Sequence, residues 1–186
     1  MTLLSPKNDM RAAHTLASVL VVRSFFLLLV LLMPQALLAQ YSEFGRADSL
    51  RGTLNRYRSC YDVKHYDLEV KIDPELRRIA GSNVIQFQVL SATRTIQIDL
   101  FAHLKISKIL YQGRELDFER EHNAVFVDFP TQLQPGTRHE MTVLYGGTPI
   151  EAKNPPWDGG FVWEKDKNGR PLIGVACEGM GASSWW

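Results

Sequence analysis

From Val63 onward the apolar positions recur every second residue. Tyr66, Leu68, Val70 and Ile72 alternate with Asp67, Glu69, Lys71 and Asp73, which is the period of a half-buried strand. Asp73-Pro74-Glu75 reads as a turn, and Ile79 to Val89 as a second strand, the hairpin partner of the first. Ile96, Ile98 and Leu100 alternate with polar Thr95, Gln97 and Asp99. Leu104 to Tyr111 continues the series and Gln112-Gly113 turns it. Ala124 to Phe129 and Glu140 to Tyr145 are two more strands, joined through Leu133-Gln134-Pro135-Gly136. Short strands with turn signals between them, and no strong amphipathic helix, predict an all-β fold: an antiparallel sandwich or a curved, saddle-like sheet.

Either side of this region the pattern changes. Residues 40–60 are a polar lead-in, with mild helical character from Ala47 to Arg58 that Gly52 weakens. Asn154-Pro155-Pro156-Trp157-Asp158-Gly159-Gly160 excludes regular structure. Phe161 to Glu164 and Leu172 to Cys177 flank a hairpin tip at Lys167-Asn168-Gly169-Arg170. The chain closes on Trp185-Trp186. Two adjacent large apolar side chains are an unusual domain end, so the expectation is a fragment, with an exposed apolar patch around these two residues.

The first 39 residues read as an address. Lys7, Arg11 and Arg23 precede the apolar run Phe25 to Met33, and Ala36-Leu37-Leu38-Ala39 offers a cut before Gln40. Ser24 to Met33 is shorter than the roughly 18–20 apolar residues a spanning helix needs. A cleaved signal is therefore the reading, with an uncleaved anchor as the alternative. Either one exports the rest, to a periplasmic or extracellular location, and membrane association is expected only if the segment stays uncleaved. The predicted organisation is 1–39 signal or anchor, 40–60 lead-in and 61–186 β domain.

Composition changes this picture little. The 186 residues carry a formal net charge of +1, and no basic stripe marks a nucleic-acid partner. Cys60 and Cys177 make neither a disulfide framework nor a zinc site; they are read as two free thiols, at least one of them buried, with a bridge between them in an oxidising compartment as the alternative.

Candidate chemistry is sparse. His139-Glu140-Met141-Thr142-Val143 approaches the His-Glu-x-x-His of zinc peptidases, but Val143 replaces the second ligand and the segment alternates like a strand. His65, His103 and His122 are isolated. Trp157, Phe161 and Trp163 offer either an aromatic binding surface or, the preferred reading, packing of the loop onto the sheet. No metal site or catalytic residue is assigned from these patterns.

Val63-Lys-His-Tyr-Asp-Leu-Glu-Val-Lys-Ile-Asp73 and Ile79-Ala-Gly-Ser82 resemble the opening hairpin of the N-terminal domain of the aminopeptidase N family of zinc metallopeptidases. That hairpin has a Tyr-x-Leu-x-Leu strand and a Gly-Ser/Thr return; Val70 departs from it. Ile96-Gln-Ile-Asp-Leu100, Asn154 to Phe161 and Gly174 to Trp186 extend the likeness, which is to an exported bacterial branch and covers roughly residues 60 to 186. The resemblance implies a β domain that packs on a zinc-bearing catalytic domain located further along, so this chain would be inactive alone. Its partners would be that missing domain and the amino terminus of a peptide. Cys177-Glu178-Gly179 matches the position where the family places a Gln or Glu that binds the substrate's free α-amine, a charge-assisted pairing. Gly179-Met180-Gly181 is not the family's Gly-x-Met-Glu-Asn, since no Glu-Asn follows.

Overall fold

The computed structural model describes Arg23 and residues 44–186 other than Met180. The expected signal or anchor segment and its cut lie outside the described residues. Residues from Gly45 to Trp186 form one compact unit. Two short helices, α1 (Arg46–Gly52) and α2 (Arg56–Ser59), precede ten strands. Asn55 caps α2 by accepting hydrogen bonds from the Tyr57 and Arg58 amides, which explains why helicity resumes after Gly52.

The strands are β1 (Tyr61–Asp73), β2 (Arg78–Val89), β3 (Thr93–Asp99), β4 (Leu104–Tyr111), β5 (Arg114–Glu115), β6 (Phe118–Glu121), β7 (Ala124–Leu133), β8 (Arg138–Gly147), β9 (Gly160–Lys165) and β10 (Pro171–Ala176). They make a sheet in the order β1-β2-β8-β4-β5, a sheet β3-β7-β6 and the hairpin β9-β10. All pairings between named strands are antiparallel. The predicted all-β, antiparallel architecture is what forms. β5 and β6 are additions: the first has two residues, and the second, Phe-Glu-Arg-Glu, has too little apolar alternation to register as a strand.

One core joins the two larger sheets. Ile79, Ile85, Phe87, Met141, Val143 and Tyr145 from the first meet Ile96, Ile98, Val125, Val127 and Phe129 from the second. The turn after β1 is fixed by Asp73, whose Oδ1 accepts from the Glu75 and Leu76 amides at 3.0 and 2.9 Å. Gly81 sits where the strands come closest. A Cβ there would lie 1.9 Å from the Glu69 carbonyl oxygen, so the hairpin closes on glycine because β1 fills the side-chain space.

Two features go beyond or against the alternation and end pattern read from the sequence. Gln97, a polar position of β3, is 1% exposed. The lead-in segment covers that side of β3: Gln97 accepts from Asn55 Nδ2 at 2.7 Å and donates to the Leu50 carbonyl at 3.1 Å. Trp186 is 6% exposed and Trp185 half-buried, so these two side chains are not themselves the expected exposed patch. The Trp186 ring lies 5.2 Å from that of Tyr66 and 6.3 Å from that of Tyr145, covering apolar surface that the sheet would otherwise leave open.

Candidate functional site

β10 ends at buried Ala176, and the chain turns at once. The Gly181 amide donates to the Cys177 carbonyl at 2.9 Å, with Gly179 at φ 73° and Gly181 at φ 78°, values that favour glycine. This turn exposes Cys177 and Glu178. The Glu178 carboxylate has no hydrogen-bond or ion-pair partner among the described residues. A carboxylate presented this way, with both oxygens available, is suited to an ammonium donor. The chain then folds back: a 3-10 turn at Ala182–Ser184 is held by Ser184 Oγ donating to the Gly181 carbonyl at 3.0 Å. The Phe101 amide donates to the Ser183 carbonyl at 2.8 Å, which ties this segment to the end of β3.

Beside it lies a cleft of about 400 Å³. Its lining includes Arg58, Tyr61, Tyr66, Ile85, Gln97, Asp99 and Trp186. Arg58 pairs with Asp99 and also donates to the Leu50 carbonyl at 2.9 Å. Gln97 Nε2 donates to Asp99 Oδ1 at 3.0 Å, and Tyr61 donates to the Gln97 carbonyl at 2.7 Å. Burial pushes the Asp99 carboxyl up, and Gln97 and Arg58 only partly oppose this. Burial likewise raises the Tyr61 phenol. This network draws on α2 and β3, so no local spacing in the sequence announces it. Glu178 is not among the residues that line the cleft; the structure brings the 182–186 segment to it, not the candidate carboxylate.

The near-motif on β8 is structural. Thr137 Oγ1 donates to the Gln134 carbonyl at 2.6 Å, so the Thr137 hydroxyl oxygen is left to accept from His139 Nε2–H at 2.7 Å. His139 Nδ1 then accepts from the Tyr111 hydroxyl at 2.8 Å. Both ring nitrogens are occupied, and burial holds the imidazole pKa down. Glu140 accepts from Gln86 Nε2 at 3.1 Å on the adjoining strand. His65 is on β1, while His103 and His122 sit in separate turns. Among the described residues no three potential metal ligands converge. The described histidines are thus committed or dispersed, and these residues do not fit the metal.

The proline loop divides its aromatics. Phe161 is buried and stacks on Trp163 at 5.1 Å, as the packing reading expects. Trp157 is 77% exposed, against that reading. Asp158 fixes the loop by accepting from the Lys153 and Asn154 amides at 2.5 and 2.7 Å. It thereby turns the indole outward instead of onto the sheet. Cys60 is buried and Cys177 exposed, both as free thiols.

No protein-family model matches the sequence, and no curated protein does. Solved structures do resemble the fold. An M1 zinc metallopeptidase from Deinococcus radiodurans is 21% identical, with a TM-score of 0.52, over 68% of this chain and 28% of its own. A form of that enzyme bound to a Tyr-Ser-Ala substrate gives 20%, 0.52, 69% and 29% in the same order. Yeast LTA4 hydrolase gives 20%, 0.57, 73% and 21%. The chain thus spans under a third of the length of the solved proteins it matches. What it shares with them is a fold, that of the N-terminal β domain of M1 aminopeptidase-type proteins.

Proposed function

We propose that this chain is the N-terminal accessory domain of an exported zinc aminopeptidase, and that it contributes recognition of the substrate's free amino terminus. On this reading the catalytic domain and its zinc belong to the rest of the full-length protein, and the chain alone is inactive. The carrying observation is the β fold it shares with M1 enzymes over 68% and 73% of its length while spanning only 28% and 21% of theirs. The engagement of both His139 nitrogens supports assigning the metal elsewhere. Export rests on the basic, apolar leader of residues 1–39.

Glu178 carries the recognition role in this proposal. Its support is the unpartnered carboxylate on the turn after β10. In the complete enzyme, Glu178→Ala should lower kcat/KM for peptides with a free amino terminus by about 10- to 100-fold, the worth of a hydrogen bond to a charged group. It should leave N-acetylated substrates unaffected. An equal loss on both substrates would refute the role.

The purified chain tests the wider reading. It should release no amino acid from aminoacyl amides. Chelator-sensitive hydrolysis by the chain alone would overturn the assignment.

The exposure of Trp157 favours a second reading, a stand-alone secreted binding module that uses this loop. It predicts a ligand whose binding quenches indole fluorescence and is lost in Trp157→Ala.

A further inference from the structure

β1 pairs with β2 on one side, and among the described residues its other edge has no strand partner. Natural sheets usually guard such an edge with proline, bulges or charged side chains, and here the charges are of both signs in a self-complementary order. β1 has a single irregularity, between Val63 and His65, and from His65 to Asp73 its register with β2 is unbroken. No proline interrupts this stretch, and the Asp73 turn ends it. Its inward face, Tyr66, Leu68 and Ile72, remains 44%, 37% and 42% exposed. Its outward face carries His65, Asp67, Glu69, Lys71 and Asp73. Asp67, Glu69 and Lys71 form no ion pair among the described residues.

The order of these charges is self-complementary. Two antiparallel copies related by a twofold axis at Glu69 would place Asp67 opposite Lys71 twice and His65 opposite Asp73 twice. On the inward face Tyr66 would meet Ile72, and Leu68 would meet Val70. The one like-charge meeting is Glu69 with itself on the axis. Moving the axis to Leu68 sets Asp67 against Glu69 and His65 against Lys71. Moving it to Val70 sets Asp67 against Asp73 twice, which offsets the two Glu69–Lys71 pairs that this register forms. An axis between residues would pair inward with outward side chains, which the pleat forbids. Glu69 is also the midpoint of the regular stretch from His65 to Asp73, so backbone geometry and charge select the same register.

We infer that two copies of this chain associate edge to edge through β1, antiparallel and centred on Glu69, and so join their five-stranded sheets into one continuous sheet. The backbone groups that β2 leaves unused supply the ladder. The added strand covers the half-exposed Tyr66, Leu68 and Ile72, and cross-strand charge pairs fix the register.

A charge-swap experiment on the full chain tests this by sedimentation velocity. The wild type should be dimeric. Asp67→Lys and Lys71→Asp each turn two attractive pairs into repulsive ones and should weaken the dimer by about tenfold or more. Both sites are exposed, so the fold should hold, and unchanged far-UV circular dichroism would confirm that. Mixing the two single variants should restore a heterodimer, since each Lys then faces an Asp. The double variant D67K/K71D should dimerise as the wild type does, and Glu69→Gln should tighten the dimer. A monomeric wild type would overturn the inference. So would single variants that stay dimeric, which would locate association elsewhere, the apolar 25–33 stretch included. Failure of the mixture to pair would overturn the register.

Discussion

Gly81→Ala is the sharpest test of how the hairpin is built. An added Cβ would lie 1.9 Å from the Glu69 oxygen and 2.9 Å from Val70 Cα. Both atoms are backbone, so no side chain can swing aside. Since a Cβ contact below 3.0 Å is essentially never tolerated, β1 must retreat by about an ångström at Val70. Overpacking of this kind costs about 1–3 kcal/mol. The shift also stretches ladder bonds at the flanking pairs, Glu69↔Ser82 and Lys71↔Ala80, at about 1 kcal/mol for each bond lost. The expected loss is about 3 kcal/mol, a large part of the roughly 5–15 kcal/mol that holds a domain together. Urea unfolding followed by circular dichroism measures it, and hydrogen exchange should show the β1 amides losing protection first. Gly174→Ala is the control: its nearest neighbour would be Val162 Cβ at 3.8 Å, and its effect should stay within about 0.5 kcal/mol. If Gly81→Ala matched that control, the close approach of β1 would be refuted.

Stability should also depend on pH through His139. Burial holds its folded pKa below the unfolded value, so above the unfolded pKa both states are neutral and this contribution is fully present. As pH falls through the unfolded pKa, the unfolded chain takes up a proton that the folded chain resists, and stability declines toward the folded pKa. Denaturant unfolding between about pH 7.5 and about pH 5.5 should show a steeper loss in the wild type than in His139→Gln; parallel profiles would contradict the partial burial of His139 against Tyr111. Phe161→Ala should cost about 3–5 kcal/mol, because the ring is buried against the core, whereas Trp157→Ala should change stability by less than about 0.5 kcal/mol. Thermal melts of the two variants check the division of the loop, and an equal effect would refute it.

Much of the fold was legible because alternation is a direct image of a two-sided sheet. β1, β2, β4, β8 and the β9-β10 hairpin all follow from it, as do the turns at Asp73, Gly136 and Gly169. Alternation reports faces, not what later covers them. The burial of Gln97 was not legible because nothing in its own strand shows that Leu50 and Asn55 fold over it. Tyr66, Leu68 and Ile72 looked buried, yet they lie on an edge strand whose inner face is only partly covered. Trp186 looked like an exposed end and instead closes on Tyr66 and Tyr145. Glu178 is a candidate only through family resemblance: a single carboxylate in a glycine-rich turn has no chemical signature of its own. The Arg58–Asp99–Gln97 network was invisible for the opposite reason. Its chemistry is plain once assembled, but only the tertiary fold brings α2 to β3.

The account's central claim is that this β domain serves a zinc peptidase whose catalytic part lies elsewhere in the same protein. Sequencing the native transcript beyond the codon for Trp186 tests it most directly. The claim predicts that the reading frame runs on into a His-Glu-x-x-His segment with a later Glu. A stop codon immediately after Trp186 in intact transcript, with a soluble product, would contradict it.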